Sequence, residues 1–220
     1  MGKMTGRLWK RAQEYDRDEL KDKPSHSLAY HAFFQGYSER KVLRGNGKGY
    51  RIERIYTADY RKYAETDRMW RSKKLFYLAA YLLSVYAWIF GTSQASVLNT
   101  TRMIGVMELA ALLPTVYLGY SMIFQLFAKR KMTVGEYAAA STHLKWGALA
   151  ALCFTAMISF TMFFFKCFSG FDWNGTDLAA IGGLFGAALL FLFLYRMEAM
   201  RDTEWVKNPN EMPTDAIEIW

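Results

Sequence analysis

The chain has 220 residues and a formal net charge of +8, with 52% hydrophobic and 22% charged residues. The charges are unevenly distributed, since residues 1–74 hold 19 of the 28 Lys and Arg residues and residues 75–195 hold six. Residues 178–195 carry no charge, and because such a run is rare in a soluble core, the composition excludes a single soluble domain. We therefore predict an all-α polytopic membrane protein, a four-transmembrane-helix bundle with a basic N-terminal cytoplasmic region over residues 1–74.

The N-terminal region opens with an amphipathic pattern over residues 4–22. Its apolar residues recur at helical spacing among basic ones: Leu8, Trp9, Ala12 and Tyr15. Such a helix would lie on the anionic inner leaflet or pack as a solvated helix on the rest of the region. Residues 44–50 have alternate glycines but lack the ending of a phosphate-binding loop, so we expect a flexible turn.

Residues 50–70 are basic and rich in tyrosine. A strand alternation fits only part of this segment, and a helical face fits its apolar residues better: Ile52, Ile55, Tyr56, Tyr60 and Tyr63. Because the segment leads directly into the first span, we expect it to contact lipid headgroups, and nucleic acid is an unlikely partner.

Four apolar stretches predict membrane spans at about 75–95, 103–128, 146–168 and 178–195, since a hydrocarbon core of about 30 Å needs roughly 20 helical residues. In the first span only residues 75–91 are apolar enough, which barely reaches the lower limit of about 17 residues for a membrane-spanning helix. Before the third span, Thr133 and Glu136 have capping-box spacing, which predicts a helix that begins at the membrane surface and continues into the span.

The basic residues also predict an orientation. Lys and Arg are concentrated before the first span, between the second and third spans, and after the fourth, whereas the other two connections are poor in charge. Because cytoplasmic flanks are enriched in Lys and Arg, we expect a multi-pass protein of the cytoplasmic membrane with both termini in the cytoplasm.

One acidic residue, Glu108, lies inside the second span. It shares a helical face with Ala111, Thr115 and Gly119, so we expect it to point into the bundle, with Lys166 as its natural partner. Arg102 is the other option. An acid within a membrane suggests a functional site that carries a proton or binds a cation, and a structural ion pair is the alternative. The candidate polar site is therefore Glu108, Lys166 and Thr115.

Small residues recur every four positions in three spans and would allow close helix packing. The glycines concerned are Gly119, Gly147, Gly182, Gly183 and Gly186. The face with Gly182 and Gly186 would pack inside this bundle or against another chain.

The acidic tail over residues 196–220 ends in apolar residues. As an extended strand, Ile217, Ile219 and Trp220 would anchor the tail on a sheet edge of a cytoplasmic partner. The alternative is an unstructured tail.

No catalytic, metal-binding or cofactor-binding signature is recognisable, and we interpret Thr176 and Asp177 as the N-cap of the fourth span. The first functional hypothesis is therefore a non-catalytic membrane subunit or scaffold that engages a cytoplasmic partner through its basic N-terminal region and acidic tail. The second is a small oligomeric transporter or channel that uses Glu108. A lipid-modifying enzyme ranks last. The expected partners are the lipid bilayer and a protein partner or further copies of the chain.

Overall fold

The computed structural model describes residues 35–43, 50–169, 172–209 and 217–218. Its four long helices are α1 Asp67–Thr92, α2 Arg102–Phe127, α3 Val134–Ser169 and α4 Gly175–Ala199. All four are long and apolar enough to cross a membrane, which indicates a multi-pass membrane protein and confirms the helical bundle. The amphipathic segment 4–22 and the turn at residues 44–49 lie outside the described residues.

The helices run alternately up and down. Helix α1 packs mainly on α4, and α2 packs mainly on α3, which also packs on α4. We call the end with residues 93–101 and 172–174 the loop end, and the opposite end the sheet end. Large apolar side chains cover the outside of the helices, and Leu113 is 74% exposed and Phe168 85% exposed. An apolar surface of this extent suits hydrocarbon rather than water.

Two helices, α1 and α3, begin more than one turn before their apolar stretches. Helix α1 begins at Asp67, where the Thr66 hydroxyl accepts a hydrogen bond of 3.4 Å from the Met69 amide. Helix α3 begins at Val134, and the capping box of Thr133 and Glu136 is confirmed. A π-helical turn, Ala138–Thr142, connects this first turn to the long helix His143–Ser169. Hydropathy alone misses these starts because polar and basic first turns extend out of the apolar layer.

Three strands form sheet A, in the order β2 Tyr50–Tyr56, β1 Tyr37–Leu43 and β6 Ile217–Glu218. Opposite charges pair across β1 and β2, with 2.9 Å between Arg54 and Glu39 and 2.8 Å between Arg40 and Glu53. Such cross-strand pairs stabilise a sheet. The predicted helical face over residues 50–63 is therefore wrong: isoleucine and tyrosine favour strands, and the pairing with β1 decides between the two patterns.

Sheet B lies at the sheet end of the bundle, with the strand order β4 Lys131–Met132, β3 Tyr60–Tyr63 and β5 Thr203–Val206. The guanidinium of Arg61 stacks on the Trp205 ring at 3.5 Å from its centroid. The three strands come from the segments before α1, between α2 and α3, and after α4. Sheet B therefore joins these three segments across the end of the bundle.

Candidate functional site

A buried cluster of charged and phenolic side chains lies where sheet B meets the bundle. We call it the Arg201 cluster, and its members are Tyr63, Glu65, Tyr77, Glu198 and Arg201. Arg201 lies 3.1 Å from Glu198 and 3.1 Å from Glu65. Glu198 also accepts hydrogen bonds from Tyr63 at 3.1 Å and Tyr77 at 2.7 Å. The guanidinium of Arg201 covers the Tyr63 ring at 3.8 Å. Each buried charge therefore has an opposite charge in contact.

The local environment fixes the protonation states of this cluster outside the helices. Burial and then the Glu198 carboxylate raise the pKa of the Tyr63 phenol, which remains a hydrogen-bond donor. Burial acts to raise the pKa of Glu65, but hydrogen bonds from Lys73 and Arg201 outweigh it and hold that pKa below its usual value. Glu65 is therefore ionised at neutral pH and neutralises part of the positive charge of Lys73 and Arg201.

Helix α2 contributes Gln125 to the same region. With its amide oriented to satisfy both ends, the oxygen accepts from Arg201 at 2.6 Å and the nitrogen donates to the Ala140 carbonyl at 3.3 Å. Gln125 is fully buried. The amide thus connects α2 and the π-helical turn of α3 to the Arg201 cluster, which holds elements from the whole sheet end together.

A second buried ion pair lies at the loop end. Lys166 Nζ is 2.5 Å from Asp177 Oδ2, and Ser96 donates a hydrogen bond of 2.5 Å to the same carboxylate. The predicted pairing of Lys166 with Glu108 is therefore not formed. The predicted cap is also wrong, because Asn174 caps α4 by accepting from the Asp177 amide at 2.8 Å. The short connection between α3 and α4 places Asp177 nearer to Lys166 than any acid of α2.

Glu108 is the exception among the charges inside the bundle. Its Oε1 is buried and has no hydrogen-bond or ion-pair partner within the described part of the chain. It lies on the inward side of α2, among these buried residues: Ile104, Ala111, Thr115, Leu118, Met122 and Gln125. The Thr115 hydroxyl donates to the Ala111 carbonyl at 2.8 Å instead of binding Glu108. Arg102, the other predicted partner, is exposed.

The register of α1 on α2 places Trp88 opposite Glu108. Tyr81 Oη donates a hydrogen bond of 3.3 Å to the Thr115 carbonyl. Trp88 follows Tyr81 by seven residues, and Glu108 precedes Thr115 by seven, a distance of about 10 Å along each axis. Because the helices are antiparallel and a seven-residue step returns to the same helical face, this register puts Trp88 and Glu108 at about the same level on the facing sides of α1 and α2.

Trp88 Nε1 and Thr155 Oγ1 are also buried without a hydrogen-bond partner among the described residues. The close approach of Gly147 to Leu118 sets the register of α3 on α2. Towards the loop end, Thr155 lies eight residues beyond Gly147 on α3, and Glu108 lies ten residues beyond Leu118 on α2. The two side chains are therefore within about one helical turn of the same level. Three helices thus bring an indole N–H, a carboxyl group and a hydroxyl group to one level of the bundle.

The glycines predicted for helix packing divide into two groups. A β-carbon on Gly183 would lie 2.8 Å from the Gly91 backbone, and one on Gly147 would lie 3.2 Å from Leu118. One on Gly119 would meet the Tyr81 hydroxyl. By contrast, a β-carbon on Gly182 or Gly186 would meet no atom within 4 Å. The first group holds this bundle together, and the second faces outward.

The acidic tail returns to its own sheet. Ile217 pairs with Glu39 and Glu218 pairs with Ser38, so this part of the tail is an edge strand of sheet A. Ile219 and Trp220 lie outside the described residues. The extended conformation predicted for the tail is present at Ile217, but the edge that it occupies belongs to this chain.

Comparison of the chain with protein-family models, with curated proteins and with solved structures finds no match. Among the described residues, no group of three His, Cys, Asp or Glu residues could hold a metal ion. The geometry of the polar groups is therefore the basis for any functional conclusion.

Three features of the candidate site were missed in the sequence. Glu198 and Arg201 have the i, i+3 spacing of a helical ion pair, so their pairing could have been predicted from the sequence. Lys166 and Asp177 flank one short connection, and this is a weaker signal. The position of Trp88 opposite Glu108 required the register of α1 on α2, which only the folded bundle provides.

Proposed function

We propose that the chain is a small transporter that acts as an oligomer and uses Glu108 to carry protons or another small cation. One observation supports this proposal: Lys166, Asp177, Glu198 and Arg201 are all paired, whereas the buried oxygen of Glu108 has no partner in the described residues. At the centre of a membrane helix an ionised acid costs about 2.5 kcal/mol or more, and Glu108, six residues into α2, bears part of that cost. A bundle that pairs its other charges retains this one at a cost, which favours a functional role.

The chemistry of such a site follows from its surroundings. In the seam between α1 and α2, the neutral carboxylic acid needs no counter-charge, whereas the carboxylate needs a cation. Glu108 would therefore alternate between a bound proton and another bound cation, or between a proton taken from one side and released to the other. Because four helices rarely enclose a pathway, we expect two or more copies to form it.

Proton flux in proteoliposomes tests this function. The purified chain is reconstituted with a trapped pH-sensitive dye, and a potassium diffusion potential drives protons inward. We expect flux from the wild-type protein and its loss in Glu108→Gln. Asp172→Asn, which changes an exposed acid at the loop end, is the matched control and should retain the flux. Equal flux from Glu108→Gln and the wild type, with equal thermal unfolding midpoints, would remove Glu108 from the function.

The edge-strand position of Ile217 and Glu218 favours a second candidate, a membrane scaffold that holds a cytoplasmic partner. A tail that can add a strand to a sheet edge could add it to a partner's sheet. Purification from the native host in mild detergent tests this candidate. A partner that co-purifies with the full chain, and is lost when residues 210–220 are deleted, would support it. A single purified species without a second chain would contradict it.

Both proposals place the sheet end in the cytoplasm, because the flanks at this end carry most of the Lys and Arg residues. Cysteine labelling tests the orientation after Cys153 and Cys167 are replaced by Ala. A membrane-impermeant maleimide applied to intact cells should label Asp172→Cys and leave Lys129→Cys unlabelled. The reverse pattern would invert the orientation.

A further inference from the structure

We propose that the seam between α1 and α2 binds a lipophilic organic cation, an amine or onium compound that reaches Glu108 from the bilayer. This inference rests on the proposed role of Glu108 and names the class of substrate. It depends on three properties of the seam. Glu108 can be reached from outside the bundle, the residues beside it are apolar, and Trp88 and Thr155 lie at about its level.

The seam is the open side of the bundle. Helices α1 and α2 each pack mainly on another helix, and Glu108 is only partly buried although it lies among buried residues on the inward side of α2. One turn away, a β-carbon on Gly105 would meet no atom within 4 Å. Leu112, on the other side of Glu108, is 40% exposed. A ligand can therefore approach Glu108 from outside the bundle.

The residues beside Glu108 determine which kind of cation can approach it. Glu108 lies six residues into α2, about 9 Å along its axis, and the positions beside it that face away from the core are apolar: Gly105, Leu109 and Leu112. Charged side chains that could guide a hydrated ion are absent from these positions. A hydrated inorganic cation would have to lose its water along an apolar path, which is costly. An organic cation with an apolar body can partition into the same region and approach from the hydrocarbon.

The base of the seam fits the charged end of such a molecule. The Glu108 carboxylate provides the opposite charge, and Trp88 on the facing helix provides an aromatic ring. A cation is attracted to the face of an indole ring, and tryptophan is the best of the aromatic residues for this contact. The Trp88 N–H can donate to the carboxylate, and the Thr155 hydroxyl can donate or accept. Neutral sugars and anions would leave the carboxylate without a counter-charge.

The charge balance of the site makes proton exchange part of binding. When the organic cation binds to protonated Glu108, the carboxyl group releases one proton and forms an ion pair with the ligand. One positive charge enters and one leaves, so the seam remains neutral. Affinity for the cation should therefore increase as the pH rises and the fraction of ionised Glu108 grows.

Tetraphenylphosphonium is a suitable probe, and equilibrium dialysis of the purified full chain in detergent measures its binding. We expect saturable binding that strengthens as the pH is raised from 4 to 8, with about one proton released per cation bound to protonated Glu108. Glu108→Gln should lower the affinity at least tenfold. Trp88→Phe should retain most of the affinity, and Trp88→Leu should lose about two- to fivefold. Asp172→Asn should bind as the wild type does.

The outcomes separate this inference from the function on which it rests. Glu108-dependent proton flux, with no saturable binding or with equal binding to Glu108→Gln, would overturn the inference and leave the proposed function intact. Saturable, Glu108-dependent binding without any proton flux, even when tetraphenylphosphonium is added to one side of the membrane, would support the site and overturn the transport function. If the variants do not fold, the pH dependence of binding to the wild-type protein still tests the inference. An affinity that does not change with pH would contradict proton exchange at a carboxyl group.

Discussion

Arg201 Nη1 lies 3.1 Å from Glu198 Oε2, and both side chains are almost fully buried. The same carboxylate accepts hydrogen bonds from Tyr63 of sheet B and Tyr77 of α1. The last turn of α4 is thus joined to the strand before α1 and to α1 itself. This arrangement makes the sheet end one packed unit, in which a single substitution should be strongly destabilising.

We expect Arg201→Met to lower the free energy of unfolding by about 3–5 kcal/mol, because it leaves the Glu198 carboxylate buried without a counter-charge. Unfolding in mixed detergent micelles, followed by circular dichroism, measures this change. Arg40→Met is the matched control, since Arg40 pairs with Glu53 in sheet A and their side chains are 34% and 35% exposed. An exposed pair contributes about 1 kcal/mol or less. Equal losses from the two variants would contradict a special role for the buried pair.

The Arg201 cluster should also make stability depend on pH. The pKa of Glu65 is lower in the folded protein than its usual value, despite its burial, because Lys73 and Arg201 donate hydrogen bonds to it. The folded state therefore binds fewer protons at Glu65 than the unfolded state does, and stability increases with pH across this range. We expect the stabilisation to be fully present at neutral pH and to decrease as the pH falls through the usual glutamate pKa towards the lowered value.

The Glu65→Gln variant separates this group from the other carboxyl groups. Its midpoint of thermal unfolding should be lower than that of the wild type at pH 7, and the difference should shrink towards pH 3. A difference that stays constant over this range would show that Glu65 stabilises the fold without a change in its protonation.

The ion pair at the loop end predicts a different pattern of substitutions. Lys166→Met should destabilise the protein by about 3–5 kcal/mol, since it leaves Asp177 buried and unpaired. The double variant Lys166→Met/Asp177→Leu should recover much of this loss, because apolar residues can replace a buried pair at little net cost. A double-mutant cycle in the same detergent assay measures the coupling. Additive losses would indicate that Lys166 and Asp177 stabilise the bundle independently.

The membrane spans could be predicted because hydropathy is a local property. The apolar character of residues 178–195 does not depend on the rest of the fold, and it is enough to predict a span. The capping box before α3 likewise involves only four consecutive residues. The partner of Lys166 could not be predicted in the same way. Both Glu108 and Asp177 could have paired with Lys166, and the choice depends on the rotation and depth of α2, α3 and α4 in the bundle. Only the bundle shows that Asp177 pairs with Lys166 and that the buried oxygen of Glu108 has no partner among the described residues.

The strands show the same limit for the sheet end. Ile52 and Ile55 fit helical spacing, and the choice of a strand depends on β1, whose charges match those of β2 across the hairpin. Sheet B depends on even more distant segments, since its three strands come from before α1, between α2 and α3, and after α4. Short strands of this kind carry little local signal, because most of their stability comes from their partners.

The two groups of glycines allow a test within one helix. Gly183→Ala should destabilise the protein by about 1–3 kcal/mol, because the new methyl group would lie 2.8 Å from the Gly91 backbone and would push α1 and α4 apart. Gly186→Ala, three residues later on an open face, should be neutral or should stabilise the helix by up to about 1 kcal/mol. Unfolding in mixed micelles measures both variants. If Gly186→Ala is as destabilising as Gly183→Ala, then its face also packs against protein, and a shift to a smaller oligomer in light scattering would identify that protein as a second copy.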